Sequence, residues 1–252
     1  MRALRAAVST FTLLPVGRAD VSDGAALVLW LPVVGVGLGA LAGLVAAASL
    51  GANGTAGLLA ALLAIAALAL LTRGLHLDGL ADTADGLGSR APAEQALDVM
   101  RRSDIGPFGV VAIVLAVGAD VAALVMFTPD TWHPLAALVV AAATGRLAVV
   151  HAALPGVRAA RPGGFGALVA GRVTPLAAAV ETAGVLGLSA ALGAGIGANP
   201  LTWVAAVGVS LVLTFGFRLH VTRRLGGVTG DVFGALVELG TAITLVALAL
   251  AT

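Results

Sequence analysis

The sequence predicts an all-α fold, a polytopic membrane bundle of about seven crossing helices. Three observations carry that expectation. The chain is 60% hydrophobic and only 11% charged, and its mean hydropathy is +1.07. Its apolar residues form runs of about 18 or more, the length that crosses a bilayer as a helix. The runs are unbroken Ala, Leu, Val and Gly, without the short alternating segments a closed β-barrel requires. Together they leave too little sequence for a second domain, so residues 1–252 read as one membrane-embedded unit.

The elements follow in order. Residues 1–23 open with Arg2, Arg5 and a short apolar stretch that ends at Pro15 without a small-residue cleavage signal. An amphipathic segment on the membrane interface is expected there, not a cleaved leader. Apolar runs at 24–50, 55–72, 106–127, 133–153, 173–193, 200–217 and 232–251 give the spans. The first contains Pro32 and several glycines up to Gly39, where a break is expected. The second leads without an obvious breaker into 73–105, read as a helix continuing from the span and then a loop. The 34 glycines suit close helix approach in lipid and permit tight self-association into a homo-oligomer.

All fourteen basic residues are arginines. They fall on the N-terminal segment, on 73–105, on 154–172 and on 218–231, while 51–54, 128–132 and 194–199 carry none. The excess of positive charge on cytoplasmic loops then puts the N-terminus and the arginine-bearing loops inside and the C-terminus outside. Arg146 is the exception, within the fourth run. The chain has no cysteine, which excludes disulfides and thiolate metal sites. The net charge of +1 says nothing about partners; the expected surroundings are membrane lipid, with no nucleic-acid partner.

Against that background one stretch does not fit. RGLHLDGLADTADGLGSR (73–90) crowds Asp78, Asp82 and Asp85 together. At about 100° per helical residue the three lie within an arc of about 60°. Carboxylates so close repel one another unless a cation sits between them, and hard oxygen donors suit Mg²⁺ or Mn²⁺. Gly79 and Gly86 would leave room for a phosphate-bearing ligand. The alternative is a solvated acidic face, but ionisable groups at a membrane boundary are costly and usually functional. His76 is a candidate phosphate contact or acid–base group, although a helix places it roughly opposite Asp78.

Two further clusters share the predicted inner face. VMRRSDIGPFG (99–109) carries Arg101, Arg102, Ser103 and Asp104, and paired arginines suit phosphate oxygens as well as setting topology. TRRLGGVTGD (222–231) offers Arg223, Arg224, Thr229 and Asp231 around a glycine-rich turn whose amides could cradle an anion. Glu238 follows within the last span. Asp120 and Glu181 lie inside apolar runs without an evident partner, and His133, His151 and His220 have no ligand spacing.

RGLHLDGLADTADGL, VMRRSDIGPFG and RRLGGVTGDVFGA, with FTLLPVG near the N-terminus, resemble the cobalamin synthase family, the adenosylcobinamide-GDP ribazoletransferases, in order and setting along the whole chain. Many members have Asp-Ser-Arg where this chain has Arg102, Ser103 and Asp104. The resemblance implies an Mg²⁺-dependent membrane transferase that joins adenosylcobinamide-GDP to α-ribazole or its 5′-phosphate and releases GMP. In that reading Asp78, Asp82 and Asp85 hold Mg²⁺ against the diphosphate. One of them, or Asp104, takes the proton of the ribazole 5′-hydroxyl. Arg73, Arg101, Arg102 and the 222–231 loop neutralise the phosphates.

Two rival readings exist. DTADGLGSR fits the first half of the CDP-alcohol phosphotransferase pattern, but Val99, Ser103 and Pro107 stand where its second half requires Gly, Asp and Asp. A secondary transporter would suit seven spans with intramembrane acids, yet the two halves show no inverted repeat and the charges avoid the midplane.

Overall fold

The computed structural model describes residues 2–17, 23–53, 57–127 and 130–251. Among them the regular elements are helices: α1 (Arg2–Phe11), α2 (Gly24–Leu29), α3 (Leu31–Asn53), α4 (Gly57–Leu71), α5 (Leu75–Gly88) and α6 (Ala93–Val99). After these come α7 (Pro107–Met126), α8 (Trp132–Ala152), α9 (Gly164–Val169), α10 (Pro175–Gly195), α11 (Pro200–Leu225) and α12 (Gly230–Ala249). Among the described residues six spans are long and apolar enough to cross a membrane: α2 with α3, then α7, α8, α10, α11 and α12. The chain is therefore an all-α polytopic bundle, as its hydropathy predicts. Its first span is interrupted at Trp30, just ahead of Pro32.

The second apolar run departs from expectation. Helix α4 does not continue straight into the aspartates; α5 turns away from it by 88°. Arg73 and Gly74 both adopt left-handed backbone, with φ of 57° and 67°, and two such residues in succession cannot propagate a right-handed helix. The corner is held from outside. The Arg73 guanidinium donates to the Thr10 carbonyl at 2.8 Å, and the Leu13 amide donates to the Leu71 carbonyl at 2.8 Å. A Cβ on Gly74 would meet nothing within 4 Å, so Gly74→Ala would cost only backbone strain, about 1 kcal/mol. The expected result is a modest drop in thermal stability in detergent; no change would mean that the corner relaxes freely.

Helix α8 is the axis of the bundle, with nearly every residue from Ala136 to Ala153 buried. Small residues let its neighbours approach. A Cβ built on Gly35 or Gly39 would fall 2.4 Å from the Ala142 or Leu138 carbonyl oxygen, and one on Gly43 2.7 Å from the Leu135 Cα. The partner numbers fall as the glycine numbers rise, so α3 and α8 are antiparallel. On the other side a Gly145 Cβ would lie 2.3 Å from the Val237 oxygen, bringing α12 against α8. This is the close packing that small residues provide in lipid.

Antiparallel packing brings the beginnings of α3, α7, α10 and α12 to one end, with the ends of α4, α8 and α11. The arginine-bearing connections meet there. The Ala160 amide donates to the Val228 carbonyl and the Val228 amide to the Arg158 carbonyl, each at 2.9 Å. Arg161 donates to the Leu97 carbonyl and Arg224 to the Ala91 carbonyl. Helix α1 packs on the same end by burying Ala6, Ala7 and Phe11 while Arg2 and Arg5 stay exposed. Arg18 lies outside the described residues. Arg146 and Arg218 sit within the spans.

Candidate active site

Helix α5 lies across the first turns of α12 and α7 and is not itself a span. A Cβ on Gly79 would fall 2.7 Å from the Asp231 carbonyl oxygen, and one on Gly234 3.2 Å from the His76 carbonyl oxygen. Further along α5, Asp85 reaches the start of α7. Its Oδ2 accepts the Gly106 amide at 2.7 Å and its Oδ1 accepts the Gly109 amide at 2.9 Å. The two N–H groups belong to a helix N-terminus that has no capping side chain of its own, so Asp85 caps it from a neighbouring helix.

This contact corrects the reading of three residues. Asp85 is buried and turned to α7, which removes it from a shared metal set with Asp78 and Asp82. Gly79 and Gly86 do not leave room for a ligand: α12 backbone fills the space beside Gly79, and the Met100 side chain fills that beside Gly86. Among the described residues, no three His, Asp or Glu side chains converge in a group that could hold a metal ion.

Instead, a cavity of about 260 Å³ opens between α1, α5, α9 and α12. Arg73, His76, Asp78 and Asp231 line it, together with Thr10, Phe11, Phe165 and Phe233. One part of the wall is aromatic. Phe165 meets Phe11 edge-on at 5.2 Å and Phe233 edge-on at 5.7 Å, and the His76 ring stacks on Phe11 at 6.2 Å. His76 is buried, and its Nδ1 has no hydrogen-bond partner. Burial, then the nearby Arg146 charge, holds its pKa well below the usual imidazole range, so the ring is neutral at neutral pH.

Thr10, Arg73, Asp78 and Asp231 are the other polar groups of the wall; Asp82 and Arg161 stand behind it. Asp231 sits in the first turn of α12, where the Thr229 hydroxyl donates to its Oδ2 at 3.1 Å and accepts the Val232 amide at 3.2 Å as the N-cap. Asp82, one turn along α5 from Asp78, is half-buried. Its pKa is pushed up to about 7 by burial and then by Asp78, Asp231 and Asp85, while Arg161 opposes the rise. Asp78, Asp82 and Asp231 therefore form one acidic neighbourhood drawn from two helices. Arg161, on the connection before α9, supplies its positive counterpart. The sequence placed Arg161 among the topology-setting arginines; in the fold its side chain reaches the Leu97 carbonyl and its charge acts on Asp82.

The remaining nominated residues lie elsewhere. Arg101, Arg102, Ser103 and Asp104 are exposed on the turn before α7, and Arg101 pairs with Asp98 at 3.6 Å. Arg224 is spent on the Ala91 carbonyl, and Arg223 is exposed. None of these lines the cavity. Glu238 does not line it either; it lies deeper in α12, in the electrostatic field of Arg146. The glycine-rich turn is not an open anion cradle. A Cβ on Gly227 would meet the Arg158 oxygen at 2.5 Å, and the Val228 amide is already committed to that carbonyl.

Comparison with known proteins matches residues 3–249 to the family described as cobalamin-5-phosphate synthase. Relatives named adenosylcobinamide-GDP ribazoletransferase include one from Frankia casuarinae, 39% identical over 98% of this chain and 94% of its own. One from Klebsiella pneumoniae is 38% identical over 96% of this chain and 97% of its own. One from Bradyrhizobium diazoefficiens is 41% identical over 96% and 91%. No solved structure matches.

Proposed function

Since this chain belongs to the cobalamin-5-phosphate synthase family, we propose that it joins adenosylcobinamide-GDP to α-ribazole or α-ribazole 5′-phosphate in the cavity beneath α1. The enzyme is a transferase of cobalamin assembly. The observation that carries the site assignment is that Arg73, His76 and Asp78 from one stretch and Asp231 from a distant helix line one cavity. The CDP-alcohol phosphotransferase and transporter readings have no comparable support, because the family match spans nearly the whole chain.

Mg²⁺ fits the donor chemistry here. Asp78 and Asp231 offer hard oxygens at the cavity, beside a third carboxyl whose pKa is raised by burial and then by the neighbouring carboxylates. Mg²⁺ commonly takes one or two protein carboxylates and completes its shell with water and substrate phosphates, so a closed cage of three is not required. When bound, it would neutralise the diphosphate. The donor set is thus amended from Asp78, Asp82 and Asp85 to Asp78 and Asp231, with Asp82 adjacent.

The remaining steps belong to the chain's own groups. The flat base of the ribazole enters the aromatic part of the cavity, where neutral His76 orients it through Nδ1. A cavity of about 260 Å³ is far too small for a corrinoid, which stays outside. A family named for cobalamin-5-phosphate makes a product whose 5′ position already carries phosphate. The attacking group is then a secondary ribose hydroxyl, not the 5′-hydroxyl. Its oxygen bonds to the phosphorus bearing cobinamide, the bond from that phosphorus to the bridging oxygen breaks, and GMP leaves with the electron pair. Asp82 does not line the cavity but belongs to the same acidic neighbourhood as Asp78 and Asp231; with a pKa of about 7 it is the group assigned to take the hydroxyl proton, directly or through a water. Arg73 and Arg161 offset the charge on the phosphates. The arginine-rich end faces the cytoplasm in this reading.

The test is product formation by purified protein from adenosylcobinamide-GDP and α-ribazole, with and without Mg²⁺, and with CDP-diacylglycerol as the rival donor. A pH series adds a second check. At limiting Mg²⁺ the acid limb of activity is expected near pH 7, because Asp82 must be ionised to accept a proton. Raising Mg²⁺ should move the limb to lower pH, since a nearby cation favours the carboxylate. A limb indifferent to Mg²⁺ would separate Asp82 from the metal.

A further inference from the structure

A second cavity, of about 230 Å³, opens on the far side of α8 and is lined by Ala148, His151, Leu211, Val212, Thr214, Phe215 and Arg218. Val149 faces the first cavity, so α8 separates the two. Arg218 sits within a membrane span and makes no ion pair among the described residues. Its Nε is buried without a hydrogen-bond partner. Its guanidinium carbon lies over the Phe215 ring, 4.6 Å from the centroid, and that ring cannot neutralise it. Beside it, His151 Nε2 is fixed by the Thr182 hydroxyl at 2.9 Å. Glu181, the acid next to Thr182, forms no ion pair with either.

An arginine in a span is expected to find an anionic or carbonyl partner. Here the protein supplies none, yet it builds a cavity around the cation. Arg218 lies seven residues before the end of α11, roughly 10 Å along the helix axis, and His151 is one residue from the end of α8. Both therefore stand near headgroup depth at the arginine-rich end. The approach is apolar: Val212, Leu213 and Phe215 are 69%, 53% and 48% exposed on the bundle's outer surface. A ligand that places an anion on Arg218 while keeping company with these side chains carries a phosphate on a hydrocarbon body.

We propose that this lateral cavity binds the phosphate of an anionic phospholipid, held by the Arg218 guanidinium and flanked by His151. The arginine fork matches phosphate oxygens bidentately, and basic pockets between spans on the cytoplasmic side suit anionic headgroups.

The test uses full-length protein delipidated in dodecyl maltoside, with native mass spectrometry and thermal unfolding as readouts. Phosphatidylglycerol should remain bound at one copy per chain and raise the Tm, whereas phosphatidylcholine and inorganic phosphate should do neither. Arg218→Gln should weaken phosphatidylglycerol retention at least tenfold, and Arg218→Lys by less. Equal retention by Arg218→Gln, or equal effects of phosphatidylcholine, would overturn the site. A Tm rise reproduced by inorganic phosphate would overturn the lipid as its source. Should Arg218→Gln not accumulate, the wild-type comparison of the three probes decides alone.

Discussion

Asp82→Asn is expected to lower turnover by roughly 10²–10⁴-fold, the range associated with removing a positioned general base, while the protein inserts and unfolds normally. The side chain keeps its shape, so packing is undisturbed. What disappears is a carboxyl held at about 7 by burial and by the charges of Asp78, Asp231 and Asp85. Removing it also relieves repulsion in the metal-free protein, so thermal stability without Mg²⁺ should not fall. The measurement is the rate of product formation at saturating Mg²⁺, alongside a melting curve. Turnover within a few-fold of wild type would remove Asp82 from the chemistry.

Asp85→Asn should behave in the opposite way and lose stability first. Asp85 offers each of its oxygens to one α7 amide. Asparagine has only one acceptor oxygen and would turn its NH₂ toward the other N–H. The loss of one bond to an ionised group and the stranding of a buried donor cost about 3 kcal/mol. The neighbouring glycines leave no room to adjust: a Cβ on Gly106 or Gly109 would come within 2.5 Å of an Asp85 oxygen. Thermal unfolding in detergent is the check. An unchanged melting point with abolished turnover would return Asp85 to the reacting centre.

The contrast between these two aspartates shows where sequence reasoning stops. The apolar runs and the arginine pattern predict the spans and bring the arginine-bearing connections to one end, because lipid requires satisfied backbone and long apolar surfaces. Helical periodicity also puts three aspartates on one arc. It does not say what fills the space opposite each of them, and for Asp85 the occupant is another helix. A signal was present in IGPFG: Pro107 at the first helical position behind Gly106 leaves amides that no local side chain caps, so an acceptor must come from elsewhere. The α4–α5 corner was less legible, since Arg73 gives no warning of a left-handed backbone. Arg161 was hidden for another reason, because its position beside Asp82 depends on a pairing with Val228 far along the chain.

Biogenesis inherits an order from the way α12 is enclosed. This last span supplies Asp231, Phe233 and Gly234 to the reaction cavity, and it packs against α5, α7, α8 and α11. Each of those is synthesised before it. The earlier helices therefore wait in the bilayer as a partial assembly, with a vacant slot and a half-formed chamber, until α12 inserts and closes both.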